Sequence, residues 1–492
     1  MVPAFNFDNS YARLPERFYV RLNPVPAAAP ALVQANAALA RQLRIDPEAL
    51  VSEEGIAVLA GNLVPMGAAP IALAYAGHQF GHFVPRLGDG RAILLGEVVD
   101  EGGVRRDIQL KGSGPTPFSR NGDGRAALGP VLREYVVSEA MAALGVPTTR
   151  SLAAVLTGEP VYRERTLPGA ILTRVASSHI RVGTFQYFAS RGDTEALRLL
   201  ADHAIQRHYP AAKEASNPYD GLLRGVIARH ASLVAQWLLI GFIHGVMNTD
   251  NTSIAGETID YGPCAFMDAY DPATVFSSID RAGRYAYGSQ PGIAHWNLAR
   301  FAETLLPLLA PETEAAIDIA QEALATFGSG FEAAYLDGLR RKMGLEARQE
   351  GDKELIQDLL RRMAENSADF TLTFRRLCEA AAGPAGDLSV RAEFTDPTAY
   401  DVWAVEWRKR LAMEHRDPES RRIDMQRVNP IYIPRNHLVE AALDAAVDRL
   451  DFGPFEDLLE AVIQPFEERP RYARYSVLPL PSERVHRTYC GT

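Results

Sequence analysis

His244-Gly-Val-Met-Asn-Thr-Asp250-Asn251, followed a few residues later by Asp260-Tyr261-Gly262, is the stretch on which the reading of this 492-residue chain turns. It interrupts a helical half. Over His244–Asp268, turn-forming and acidic residues cluster between β-branched ones, the composition of a loop-strand-loop insert rather than of a continuing helix. Carboxylate and amide oxygens gathered by two neighbouring loops suit a hard cation such as Mg²⁺, which keeps waters and bridges phosphates. The apolar run before it, Trp237–Ile243, reads as a buried core helix that carries the loop at its end.

His244 and Asn251 are seven positions apart, the offset of the protein-kinase catalytic loop H-R-D-x-x-x-x-N, and Asp260-Tyr-Gly stands where that enzyme class has D-F-G. The middle of the loop departs from the kinase pattern. Two residues after the histidine, where a kinase has its base, this chain has Val246, and the acid is Asp250 beside the asparagine.

Working upstream, Arg91–Asp100 and Arg105–Lys111 are β-rich runs joined by Glu101-Gly-Gly, a hairpin signal. Lys111 ends the second run, where a strand lysine reaches phosphates. Arg125–Leu144 carries apolar residues at helical spacing, so Glu134 or Glu139 on it is a partner for Lys111. Gly88-x-Gly90 with Arg91 opens the first strand, and backbone N–H groups there can approach phosphate. A second glycine turn, Asn121-Gly-Asp123-Gly124-Arg125, is expected to open the helix, where free N–H groups favour an anion. Two further β-like runs follow, Ser151–Leu156 and Ala170–Ala176. From His179 onward Thr194–His208, Tyr219–Gly245, Ile293–Leu309, Glu312–Leu339, Asp352–Ala382 and Leu438–Ala446 read as helices, and Ala27–Ala40 reads as a short helix interrupted by Pro30.

Other motifs carry less. His78 and His82 have a spacing that suits one helix face, but no further zinc ligands accompany them, so a core or loop role is expected. Gly112-Ser-Gly-Pro-Thr-Pro lacks the Gly-Lys-Ser/Thr of a Walker A loop.

Composition narrows the class. At 47% hydrophobic and 23% charged residues the chain is an ordinary globular protein, long enough for about three domains or one two-lobed enzyme. A formal charge of −10 is the wrong sign for a protein that clamps long nucleic acid by counterion release. Three cysteines, Cys264, Cys378 and Cys490, make no disulfide framework. With no export-signal pattern at Met1–Asn23 and no apolar run of bilayer length, a cytoplasmic, membrane-free protein is expected.

These residues resemble the selenoprotein O family, kinase-like pseudokinases that act as protein adenylyltransferases. The resemblance rests on YAGHQFGHFVPRLGDGRAILLGE, IQLKGSGPTPFSRNGDGRAALGPVLREY, LTRVASSHIRVGTFQ and HGVMNTDNTSIAGETIDYGP, and runs from FDNSYARLPERFY to NPIYIPRNHL. It implies an α+β, protein-kinase-like bilobal fold. Residues 1–178 would form an N-terminal extension with a small β-rich lobe, and residues 179–492 a large, mainly helical lobe. It implies ATP bound in reverse, with the α-phosphate toward the acceptor. Gly88, Gly90, Arg91, Lys111, Asp123, Gly124, Arg174, Arg181 and Asp260 would hold the nucleotide. Asn251 and Asp260 would bind Mg²⁺, Asp250 would be the catalytic base, and Glu134 the partner of Lys111. The implied reaction is AMP transfer to Ser, Thr or Tyr hydroxyls of proteins by a monomer. A phosphotransferase, a silent ATP-binding pseudokinase, and UMP transfer with Mn²⁺ are the alternatives. The family's C-terminal cysteine suggests a Cys264–Cys490 redox pair, while Cys378 is expected to be buried and inert.

Overall fold

The computed structural model describes residues 3–489. Its fold is mixed α+β. The main sheet is antiparallel and runs in the order Tyr19–Arg21, Ile71–Leu73, Ala92–Val99, Arg105–Lys111, Thr166–Ala176, Arg150–Tyr162, Ala31–Ala35, with Ala126–Ala127 pairing beside Thr166–Ala176. Every strand of this sheet lies before Ser177, and helices dominate from Val182 onward.

Both faces of the sheet are covered, which is why Ala92–Val99 reads as a nearly continuous apolar run instead of alternating. One face packs Leu95, Ile108, Leu110, Val155 and Ile171 under the short N-terminal helices Ala37–Gln42, Pro47–Leu50 and Glu53–Leu59. The other receives the helix Leu128–Ala143, and the core beneath it continues without a break into the helical half.

That helix is buried nearly all round, as a helix enclosed by protein on every side must be. The sheet flanks it on one side, and the helices Asn436–Arg449 and Gly453–Val462 flank it on the other, with Tyr135 edge-on to Phe455 at 5.9 Å. Its charged residues Arg133, Glu134 and Glu139 are therefore buried too, and each needs a partner. A buried ionic cluster also ties the sheet to the helix Thr194–His208. Arg207 reaches Asp107 at 2.6 Å and Glu97 at 3.1 Å, and His179 Nδ1 lies 2.9 Å from Asp107.

Several local expectations are corrected. Ala31–Ala35 is a strand, not part of a helix, because the free edge of Arg150–Tyr162 offers it a ladder and Pro30 cannot supply a helical N–H. Asn36 then caps the helix at Ala37, accepting from Leu39 N at 3.0 Å. Asp352–Ala382 is two helices, Asp352–Glu365 and Phe370–Ala382, since Asp369 caps the second by accepting from Leu372 N at 2.7 Å. The helix Pro218–Leu239 stops short. Gly241 has φ +72°, and Phe242–Ile243 pairs with Ala265–Phe266, so the apolar run at Trp237 is half helix and half strand. His78 and His82 sit on a β-hairpin, Gly77–Gln79 with His82–Val84. Among the described residues no helix is long and apolar enough to cross a membrane.

Candidate active site

Lys111 ends its strand with Nζ 2.5 Å from Glu134 Oε2 and 3.1 Å from Asp260 Oδ1. On the neighbouring strand Arg174, in register with Gln109, donates Nε to the other oxygen of Glu134 at 2.7 Å and lies 3.9 Å from Asp260. Glu139, the other carboxylate considered as the partner of Lys111, instead binds Arg150 at 2.6 Å and accepts from Ser151 N at 2.8 Å. Two cations thus flank two carboxylates. Burial raises the Asp260 carboxyl, but Lys111, then Arg174 and Arg91, outweigh it and hold the group well below the usual carboxylate range. Burial likewise opposes ionisation of Glu134, and Arg174 and Lys111 overcome it.

Asp260 has φ +69°, a left-handed conformation that non-glycine residues seldom adopt. The chain around it is pinned. His244 Nε2 lies 2.9 Å from Ile259 O, Thr258 N donates to Pro147 O at 2.9 Å, and Arg133 Nε donates to Gly262 O at 3.1 Å. Val246 N donates to His244 Nδ1, so the imidazole is neutral with its proton on Nε2, and burial pushes its pKa down. His244 therefore joins the two loops and does not face the cleft. The helix Leu128–Ala143 serves both halves of the site through consecutive residues, Arg133 to the loop and Glu134 to Lys111.

Asp250 and Asn251 lie in a single 3₁₀ turn, Thr249–Asn251. The hairpin Gly77–Val84 clamps this turn. His78 N donates to Thr249 Oγ1 at 2.7 Å, Phe80 N to Asn248 Oδ1 at 3.0 Å, and Gln79 Nε2 to Asp250 Oδ2 at 3.3 Å. Oδ1 of Asp250 is buried without a hydrogen-bond partner among the described residues. Burial pushes this carboxyl up to about 6, and the Gln79 bond offsets that only in part. Asn251 donates its amide NH₂ to Val246 O at 3.0 Å, which commits the nitrogen and leaves the amide oxygen as its free ligand atom.

A cavity of about 290 Å³ unites these groups. Gly88, Gly90, Arg91, Lys111, Asp123, Gly124, Arg174, Arg181, Asp250, Asn251 and Asp260 all line it, and Glu134 stands behind Lys111 in an adjoining pocket. Sequence reasoning did not single out Tyr75, Asp89, Phe118, Arg120 or Arg163 on the same wall, nor Gln79 beside Asp250. Cations outnumber carboxylates along this wall, although the protein as a whole is acidic. Arg181 lies with its guanidinium 4.3 Å from the Tyr75 ring centroid and donates to Asp250 O at 3.2 Å.

The glycine turns have a packing reason of their own. Gly88 has φ +76°, and a Cβ there would stand 2.3 Å from the Phe118 ring. The second turn does not open the helix as expected. The strand Ala126–Ala127 intervenes before Leu128, and Asp123 is held by Arg163 at 2.8 Å.

Among the described residues no three His, Cys, Asp or Glu side chains converge as a metal cage. A cation that bridges phosphates needs only one or two protein carboxylates. The anionic Asp260 and the uncommitted amide oxygen of Asn251, lining one cavity, fit that demand. Cys264 is buried, with its thiol pushed up to about 12 by burial, and Cys378 is buried with its thiol pushed up to about 11. Cys490 lies outside the described residues. The segment before it is docked beside Cys264, with Thr488 Oγ1 donating to Pro263 O at 2.5 Å.

A family model described as "Protein adenylyltransferase SelO" matches residues 2–463. The chain belongs to the SelO family. This SelO-family chain is 64% identical over 492 residues to a "Protein nucleotidyltransferase YdiU" of Rhodopseudomonas palustris (strain HaA2), covering all of both chains. It is 63% identical over 486 residues to the protein of that name from Nitrobacter hamburgensis, covering 99% of this chain and 96% of the relative. For that from Methylorubrum extorquens (strain PA1) the identity is 64% over 498 residues, covering both chains in full.

Proposed function

We propose that this SelO-family protein transfers AMP from ATP to Ser, Thr or Tyr hydroxyls of other proteins and releases pyrophosphate. The observation that carries the reading is the single cavity where the Lys111–Glu134–Asp260 cluster and the buried Asp250 carboxylate meet. The relatives' name, protein nucleotidyltransferase, supports it.

In this reading residues 1–178 and 179–492 are the two lobes of a kinase-like architecture, and ATP lies reversed between them. Gly88, Gly90, Arg91, Asp123, Gly124, Arg174 and Arg181 hold the nucleotide. Lys111, kept in place by Glu134, faces the phosphates. Asn251 and Asp260 would hold Mg²⁺, which when bound offsets phosphate charge. Asp250 accepts the proton of the attacking hydroxyl, using the oxygen that has no partner among the described residues. The chain acts as a monomer in the cytoplasm, where a protein with three cysteines keeps them reduced.

A phosphotransferase would use the same lysine, glutamate and metal loop, but its base position is occupied by the apolar Val246. Incubation with ATP labelled at the α or the γ phosphate decides between them. Protein labelling from α alone is expected. Labelling from γ alone would make the protein a kinase, and ATP binding without labelling would make it a pseudokinase. Chelation of divalent metal should abolish labelling without unfolding the protein, and parallel reactions with ATP–Mg²⁺ and UTP–Mn²⁺ show which nucleotide is transferred.

A further inference from the structure

Lys342 ends the long helix Thr313–Lys342 and is only 4% exposed. Its ammonium faces aromatic rings, 4.6 Å from the Phe374 centroid and 5.8 Å from that of Phe370. Burial pushes it down to about 7, and among the described residues the group opposing that shift is the Cys378 thiol. Lysines are rarely this buried without an acidic partner.

Lys342 lines a second cavity, of about 280 Å³, close to the lower size of small-molecule sites. Arg341 and Arg427 line it as well, and no acidic residue does among the described residues. Arg427 is paired with Asp424 at 2.8 Å, away from the cavity lining. Leu144, Val146 and Phe466 supply an apolar wall. None of these residues belongs to the nucleotide cleft.

We propose that this cavity binds a small organic anion, whose carboxylate or phosphate group pairs with Lys342 and Arg341 and whose hydrocarbon part rests on Leu144, Val146 and Phe466. Such a ligand supplies the counter-charge that Lys342 lacks among the described residues, in surroundings where ion pairing is strengthened by exclusion of water. Its head group is an oxyanion because ammonium and guanidinium offer only donors. The inference does not depend on the reaction assigned to the cleft.

Calorimetric titration of the intact protein with phenyl phosphate, 3-phenylpropionate and inorganic phosphate tests it. One aromatic anion is expected to bind at a single site, more tightly than inorganic phosphate, and the tighter of the two identifies the head group. Lys342→Met keeps the stem on the phenylalanine rings and removes the charge. It should weaken binding about tenfold or more, the equivalent of about 1.4 kcal/mol, and leave binding of an ATP analogue unchanged. Arg341→Gln, at an exposed position, should weaken the aromatic anion about threefold and keeps the test decisive if Lys342→Met does not fold. Absence of binding by all three probes, equal affinity for inorganic phosphate, or affinities unchanged in both variants would overturn the proposal.

Discussion

Gly77 stands so close to Asp250 that a methyl group on its Cα would lie 2.6 Å from Oδ1 and 3.0 Å from the aspartate Cβ. The hairpin at Gly77–Val84 is thus a flat edge pressed on the turn that presents the proposed base. Gly77→Ala should move the carboxylate by a fraction of an ångström to about 1 Å, enough to cost roughly 10–100-fold in turnover. Labelled AMP transfer would fall while nucleotide affinity, measured by calorimetry, stays near that of the parent.

Asp250 is buried, and one of its oxygens has no partner, so its charge weakens the nucleotide-free fold. With its carboxyl raised to about 6, that penalty at neutral pH is on the order of 2–3 kcal/mol. Asp250→Asn should therefore abolish transfer and raise the melting temperature of the ligand-free protein. A lower melting temperature with residual transfer would contradict both roles.

Glu134 keeps one cation if either of its partners is removed, but the two losses differ. Lys111→Ala takes away the group nearest Asp260 and should reduce transfer by about a thousandfold or more with a mild loss of stability. Arg174→Ala strips the more deeply buried cation from Glu134 and should also destabilise the fold by roughly 3 kcal/mol. Denaturant melts beside the labelling assay separate the two effects.

His203 and His230 are held neutral by burial, each with a pKa pushed down to about 4. The unfolded chain binds protons at these sites near pH 6.5, whereas the native chain does so only near 4. The stability contributed by these two neutral histidines should be full above about 6.5 and decline as pH falls toward 4, opposite in sign to the relief gained when Asp250 is protonated below about 6. Replacing His230, whose Nε2 lies 2.8 Å from Ser253 O, by Gln should flatten part of that decline in urea titrations.

Burial raises the thiol pKa of both Cys264 and Cys378, so neither is a ready thiolate. Iodoacetamide should leave both unmodified in the native protein and label both after denaturation, as read by peptide mass spectrometry. Rapid native labelling of Cys264 would show that the segment docked at Pro263 opens.

The helix bearing Glu134 was legible because its apolar residues recur at helical spacing and Gly145-Val-Pro ends it. The loop residues Asp250, Asn251 and Asp260 were legible from the types and spacing of their oxygen-bearing side chains. Gln79 was not. Its hairpin carries few signals of its own, and it meets Asp250 across 171 positions of chain. Ala31–Ala35 misled for a related reason, since Ala, Leu and Gln favour helix locally and a strand edge far along the chain overrode that preference.

By itself the sequence determined which chemistry is on offer: a strand lysine, two candidate glutamates on one helix, a metal-suited loop pair and an acidic protein with local basic turns. These follow from side-chain type and short-range periodicity, which travel with the chain. Only the tertiary structure decided that Glu134 and not Glu139 meets Lys111, that His244 is a strut between loops, that Asp260 is bent into a left-handed turn, and that Lys342 is buried without an acid. Each depends on which distant surfaces exclude water from a charge, and burial is a property of the assembled core rather than of any local run of residues.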